Sequence, residues 1–263
     1  MKKELPILDV SQLRVSFSAI STYLKCGKQY EFAYIKKQKS IPGIALLEGS
    51  AHHASFEMNN LHKKKTCKDL KAGALTDKFM EELREKVKVE ERMDWGVDNE
   101  DGLFRRARSW HEKYINDLAP KIRPDLVEEK FEMPLEVDGV KFLMVCVVDL
   151  TYNKQVADYK TTSEYGFRNK KQDINNDLQL TFYTLPTKLK QVEQICLIKK
   201  ANPDVQIISS TRTKAQLNWA LQIAKNVVIG IQKQSFPMCD PTSWCCNPRL
   251  CGYYSQCRGA IEK

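Results

Sequence analysis

The run from Val127 to Thr162 restricts most strongly what this chain can become. VEEKFEMPLEV alternates apolar and polar residues, Asp138–Gly139 interrupts, VKFLMVCVVDLTY is nearly all apolar, Asn153–Lys154 interrupts again, and QVADYKTT follows. Alternation with a period of two marks a strand with one covered face. Asp-Gly between two such runs is a strong hairpin signal. The pattern predicts a β-meander whose central strand, Val140–Asp149, is apolar enough to be covered on both faces.

On either side the periodicity turns helical. SFSAISTYLKCGKQYEFAYIKK (16–37) reads as one helix with Ser18 as N-cap and Cys26 on its surface. A turn at Pro42–Gly43 leads a second helix within 42–62. Residues 63–125, with stretches such as TDKFMEELREKVKVEERM, read as a helical insertion with a solvated, charged face. NNDLQLTFYTLPTKLK (175–190) predicts a helix, EQICLIKK and DVQIISST two more strands, and 213–234 a long amphipathic helix capped at Thr211 or Thr213. The tail from about residue 236 to 263 is loop-like. Together these elements predict a single α/β domain over residues 1–263, with a mixed central sheet flanked by helices.

Composition narrows the partners. Forty-two Lys and Arg against thirty-three Asp and Glu give a formal charge of +9, which favours an anionic partner, nucleic acid first. No apolar run approaches the roughly 20 residues that span a bilayer. MKKELPILDV lacks the apolar core of a signal peptide, so a reducing, cytoplasmic compartment is expected, the host's if a phage encodes the chain. No Gly-x-Gly-x-x-Gly is present to suggest a dinucleotide cofactor.

Two constellations carry chemistry. Asp158 and Lys160 lie two apart, hence on one face of a strand, and Asp149 ends the preceding run. Across a short turn, Asp149 and Asp158 could converge on one hard cation, Mg²⁺ or Mn²⁺, with the lysine beside it. A surface ion pair is the plainer reading of the same spacing. The second constellation is the cysteines. Nine in a reducing compartment need a reason, and five crowd the tail: Cys239, Cys245, Cys246, Cys251 and Cys257. Cys245 or Cys246, with Cys251 and Cys257, offers three ligands to an iron–sulfur cluster or a zinc ion, or simply free thiols. Cys67, Cys146 and Cys196 read as ordinary buried thiols.

The ordered set of short motifs resembles the RecB-like branch of the PD-(D/E)XK nuclease superfamily. Within that branch it is similar to members with an iron–sulfur cluster: the CRISPR-associated spacer-acquisition exonucleases, the AddB nuclease domain and phage exonucleases. SFSAISTYLKCGKQYEFAYI resembles the opening helix, although Gly27 stands where proline usually follows the cysteine. EGSAHH resembles Gly-x-x-x-His through Gly49 and His53, VVDL supplies Asp149, ADYKTT supplies Asp158 and Lys160, and DLQLTFY resembles Gln-x-x-x-Tyr through Gln179 and Tyr183. The insertion at about 63–125 has no counterpart among these motifs.

The resemblance implies a restriction-endonuclease-like core with a Cys-rich C-terminal iron–sulfur tail. His53, Asp149 and Asp158 would bind Mg²⁺ or Mn²⁺, helped by the Tyr159 carbonyl. Lys160 would be the catalytic lysine, and Gln179 and Tyr183 would line the site. Glu48 would contribute nearby, and the Gly-to-His spacing selects His53 over His52. Cys26 would join Cys246, Cys251 and Cys257 around a [4Fe–4S] cluster, with Cys239 spare. The implied activity is metal-dependent hydrolysis of DNA, exonucleolytic on single-stranded ends, 5′→3′, in recombination, repair, CRISPR or phage DNA processing. Tyr30, Tyr34 or Tyr183 would stack on bases. The rival reading is a DNA-binding subunit that keeps fold and cluster but does not cut, or cuts only with a protein partner.

Overall fold

In a computed structural model, residues 13–40, 43–89, 95, 98–248 and 250–259 are described. Pro42, the end of the TDKFMEELREKVKVEERM stretch, the N-terminal leader reading and the last four residues lie outside them. The helices are α1 (Phe17–Lys25), α2 (Gly27–Tyr30), α3 (Ile44–Thr66), α4 (Ala72–Val89), α5 (Glu100–Lys113), α6 (Glu164–Asp173), α7 (Leu178–Thr187), α8 (Lys214–Gln232) and α9 (Tyr254–Cys257). The strands are β1 (Arg14–Ser16), β2 (Pro124–Val137), β3 (Val140–Tyr152), β4 (Gln155–Ser163), β5 (Gln191–Lys199) and β6 (Asp204–Thr211). Among the described residues no helix is long and apolar enough to cross a membrane. The chain divides into two compact units, one of residues 1–40, 131–146 and 214–263, the other of residues 41–130 and 147–213.

The expected meander forms, and both turns take left-handed pairs. Asp138 and Gly139 have φ of 47° and 80°, and Asn153 and Lys154 have 49° and 62°. Two consecutive positive φ values match the twist of a tight hairpin. Asp149 does not end its strand, because β3 continues three residues further to Tyr152. Coverage of β3 on both faces holds only in its second half. Its first half buries alternate residues: Phe142, Met144 and Cys146.

In the first unit, β1 runs parallel to the start of β3, pairing Val15 with Met144. The expected single helix over 16–37 is broken. Ser16, not Ser18, caps α1 by accepting from the Ala19 N–H, and Cys26 is extended at φ −165° and ψ 109° before α2 begins. The reason lies far along the chain. A Cβ on Gly27 would stand 2.6 Å from Pro237 Cδ and 2.7 Å from its nitrogen, and the Lys28 N–H donates to the Pro237 carbonyl. Only a residue without a side chain lets the tail approach so closely, which explains glycine at this position.

The second unit holds a mixed sheet in the order β3–β4–β5–β6. β3 and β4 are antiparallel, β4 and β5 parallel, β5 and β6 antiparallel. Helix α3 covers one face. Its apolar residues Ile44, Leu47 and Ala51 bury against Phe79 and Leu83 of α4 and Leu103 and Ala107 of α5. Phe56, Trp110, Tyr114, Leu150, Tyr159, Ile195 and Leu197 form the adjoining core. The helical segment expected over 63–125 is thus helical, but one side of it is core.

The buried face of α3 is also unusually polar, with Glu48, His52, Asn59, Asn60 and Lys63 all buried. Each has partners. Asn60 donates to the Tyr159 hydroxyl at 3.0 Å, Asn59 to Asp69 at 3.0 Å, and Lys63 to Asp69 at 2.7 Å. Buried polar groups satisfied in this way fix one arrangement of helix on sheet. Cys67 departs from expectation: it caps α3 in the left-handed region and is exposed, whereas Cys146 and Cys196 are buried.

Candidate active site

The register that pairs Leu150 with Ala157 places Asp149 opposite Asp158. Asp158 and Lys160 point to the same side of β4, and both aspartates are buried. Lys160 Nζ donates to Asp158 Oδ1 at 2.9 Å and to Gln179 Oε1 at 2.9 Å. The other face of that amide donates from Nε2 to the Tyr183 hydroxyl at 2.7 Å. Tyr183 in turn donates to Asp149 Oδ1 at 3.3 Å. Gln179 and Tyr183 lie four apart on α7, which puts both on one helix face. Asp177 starts α7 by accepting from the Leu180 N–H, and this cap aims that face at the sheet. The motif residues thus form one chain of hydrogen bonds running from Asp158 through Lys160, Gln179 and Tyr183 to Asp149.

His53 joins from α3. Its Nδ1 is 3.0 Å from Asp149 Oδ2, and its Nε2 donates to the Tyr159 carbonyl at 2.9 Å. Adjacent His52 goes elsewhere. It is buried beside Phe79, 3.2 Å from His111 Nε2, and burial holds its pKa well below the usual value. The Gly49-to-His53 spacing therefore selects the histidine that meets the aspartates. Glu48, one turn earlier, is held by Arg106 Nη2 at 2.7 Å and by Lys199. Its carboxylate is engaged in ion pairs.

Sequence reading missed Glu128. Its Oε1 is 3.8 Å from His53 Nδ1, and His53, Glu128 and Asp149 each offer a ligand atom within 4.8 Å of the others. Glu128 has φ of 47° inside β2, and the burial alternation slips just after it, at Glu129–Lys130. That left-handed residue re-aims the side chain. A glutamate at the slip of an alternating strand is the only sequence signal, and Glu129 beside it looks the same.

The electrostatics separate the two aspartates. Burial pushes Asp158 up to about 7, with Asp149 adding to the shift and Lys160 opposing it. Burial also works against ionised Asp149, yet the His53 hydrogen bond and charge hold it below the ordinary range. Burial would lower His53, but the carboxylates of Asp149 and Glu128 outweigh it and raise the imidazole to about 10. Lys160 is half-buried, which works against its charge, but Asp158 and Asp149 keep it cationic. One imidazolium and one ammonium therefore balance a pocket of acids.

These residues suit a hard divalent cation. Asp149, Glu128 and His53 supply two oxygens and one nitrogen. Asp158 Oδ2 is buried and accepts no well-directed hydrogen bond, although Lys160 Nζ lies 2.8 Å away. A buried carboxylate oxygen left this way has spare capacity for a ligand.

Over residues 14–258 the sequence matches the PD-(D/E)XK nuclease superfamily. The chain belongs to that superfamily. Among solved structures it is similar to a protein from Eubacterium rectale described as a "Putative exonuclease". The identity is 17%, the TM-score 0.53, and the match covers 88% of this chain and 86% of that one. A second similarity, to SSO0001, has 10% identity, a TM-score of 0.43 and coverage of 97% and 89%. Only the first superposes closely enough to speak of a shared fold. No curated protein matches the sequence. Within this superfamily member, Cys26, Cys239, Cys245, Cys246, Cys251 and Cys257 line one pocket with residues that include Lys28, Phe32, Met238 and Tyr253. Of the expected base-stacking tyrosines, Tyr30 and Tyr183 are buried, Tyr30 stacked on Tyr34 at 4.8 Å and on Phe236 at 6.1 Å. Tyr34 alone of the three is exposed.

Proposed function

We propose that the protein is a Mg²⁺- or Mn²⁺-dependent deoxyribonuclease of the RecB-like branch, acting from single-stranded DNA ends with 5′→3′ polarity. The observation that carries the reading is the unbroken hydrogen-bond chain from Asp158 through Lys160, Gln179 and Tyr183 to Asp149, with His53 against Asp149. It joins His53, Asp149, Asp158, Lys160, Gln179 and Tyr183 from separate parts of the sequence.

His53, Asp149 and Asp158 would hold the cation, with Glu128 and the Tyr159 carbonyl beside it. A divalent cation there supplies charge neutralisation at a phosphate and acidifies water. Lys160, fixed between Asp158 and Gln179 and held protonated, donates to a phosphate oxygen and stabilises the charge that builds there. Its raised pKa favours this role over that of a base. Gln179 orients the ammonium, and Tyr183 keeps Asp149 ionised and aimed at the cation. Both compact units belong to one nuclease domain in this reading.

The cysteine pocket is the proposed site of a [4Fe–4S] cluster held by Cys26, Cys246, Cys251 and Cys257. Six cysteines around one pocket, with Phe32, Met238, Lys28 and Arg258 beside them, suit a soft-metal group. Nine free cysteines suit a reducing cytoplasm. Recombination, repair or CRISPR and phage DNA processing, with or without a protein partner, would use this activity.

The test is digestion of single- and double-stranded DNA, labelled at either end, by anaerobically purified protein with Mn²⁺. Release of short products from 5′-labelled single strands first is the expected result. Internal nicking of closed circular DNA at the same rate would refute the exonuclease reading. Binding without cutting would replace it with a DNA-binding subunit.

A further inference from the structure

Helix α6 is the element that the fold explains least. It follows β4 directly, four residues after Lys160, and none of its ten residues is buried. A helix this short is marginal without packing. The Ser163 hydroxyl, accepting from the Gly166 N–H at 3.0 Å, and contacts with β4 and β5 hold it. Tyr165 is 70% exposed. Arg168 and Lys171 are exposed and enter no ion pair or side-chain hydrogen bond among the described residues.

On α4 and α5 several cations are paired, although Arg105 of α5 is exposed without an ion pair among the described residues, as Arg168 is. Lys78 pairs with Glu81 and Glu82, Arg84 with Glu100, and Arg108 with Glu112. The acids of α6, Glu164 and Asp173, stand at its two ends, with Arg168, Lys170 and Lys171 between. Tyr165 and Arg168 are three apart, as are Arg168 and Lys171, so one exposed stripe carries an aromatic ring followed by two cations. Lys170 is half-buried. Cys196, opposite Lys160 in the β4–β5 ladder, feels the charges of both Lys170 and Lys160. The stripe starts about 10 Å along β4 from Lys160.

We propose that α6 receives the single DNA strand next to the scissile phosphate, Tyr165 stacking on a base while Arg168 and Lys171 pair with successive phosphates. This rests on the nuclease reading and names the surface that holds its substrate. A ring and unpartnered cations in one line match a strand with bare bases and a charged backbone. An acidic protein would leave the ring unexplained, and a duplex would hide the base faces.

The test is fluorescence anisotropy of a labelled oligothymidylate with the full chain in EDTA, at several salt concentrations, with cleavage in Mn²⁺ measured in parallel. Tyr165→Ala should weaken binding roughly 5- to 150-fold with an unchanged salt slope, and Tyr165→Phe should retain it. Arg168→Ala/Lys171→Ala should flatten the log–log salt slope by about 1.4, from about 0.7 per phosphate on single strands. Lys78→Ala, on α4, should match the wild type. Tyr165, Arg168 and Lys171 are exposed, so circular dichroism should show an unchanged fold.

Wild-type binding and cutting with variants indistinguishable from it would overturn this assignment alone. Polyglutamate displacing the oligonucleotide from wild type and from Tyr165→Ala equally would also overturn it, in favour of an acidic protein partner. A wild type that neither binds nor cuts would remove the nuclease reading and this assignment together.

Discussion

Cation binding should expel protons, and the number expelled should change with pH. His53 as a ligand must be neutral, and Asp158 must be ionised. Both are held protonated more strongly than usual, Asp158 up to about 7 by burial and His53 up to about 10 by Asp149 and Glu128 despite burial. Near about pH 6, Asp158 carries about 0.9 proton and His53 about 1, so about two protons leave per cation; near about pH 8.5 only the His53 proton, about 1, remains to leave. Because the free site holds the protons, affinity rises with pH. The apparent association constant should gain about two decades per pH unit near the lower value and about one near the upper. Isothermal titration of Mn²⁺ in buffers of different ionisation enthalpy counts these protons directly. His53→Ala should release about one fewer at both pH values. A proton count near zero, or one that does not change with pH, would refute the ligand assignment.

Three further outcomes follow from particular contacts. Tyr183→Phe removes the donor to ionised Asp149 and leaves the Gln179 amide without its acceptor; Mn²⁺ affinity should fall about 10- to 100-fold, a charged hydrogen bond being about 1.5–3 kcal/mol, read by calorimetry. Phe56→Ala empties the middle of the second unit's core, where Phe56 stacks on Tyr159 at 4.5 Å; denaturant unfolding should show a loss of about 3–5 kcal/mol. Gly27→Ala drives a methyl into Pro237 atoms; denaturant unfolding should show a loss of about 1–3 kcal/mol from overpacking, and an unchanged midpoint would count against the packing argument at Cys26.

The parts of this molecule that sequence could reveal are those with a local cause. Both hairpins were legible because Asp138–Gly139 and Asn153–Lys154 are turn residues, and their φ values are those such turns need. The Asp158-x-Lys160 pair was legible because strand parity puts both on one face. His53 was legible through its spacing from Gly49, and the structure places it, rather than His52, against Asp149. What escaped has causes far along the chain or in the backbone. The break at Cys26 exists because Pro237 packs on Gly27, two hundred residues away in sequence. Glu128 reaches the site through a left-handed residue within a strand, which no periodicity announces. Helix α6 has no apolar face, so it left no 3.6-residue signal. The polar face of α3 hid its burial, since Asn60 and Lys63 go inside only because Tyr159 and Asp69 wait there.

The central claim is that Lys160, set between Asp158 and Gln179, is the centre of a metal-dependent nuclease. The most direct test is cleavage of end-labelled single-stranded DNA in Mn²⁺ by wild type and by Lys160→Ala, each shown to be folded. Cleavage by wild type, with none by the variant at equal DNA binding, is the expected result. Equal cleavage by both would contradict the account and move the chemistry away from this site.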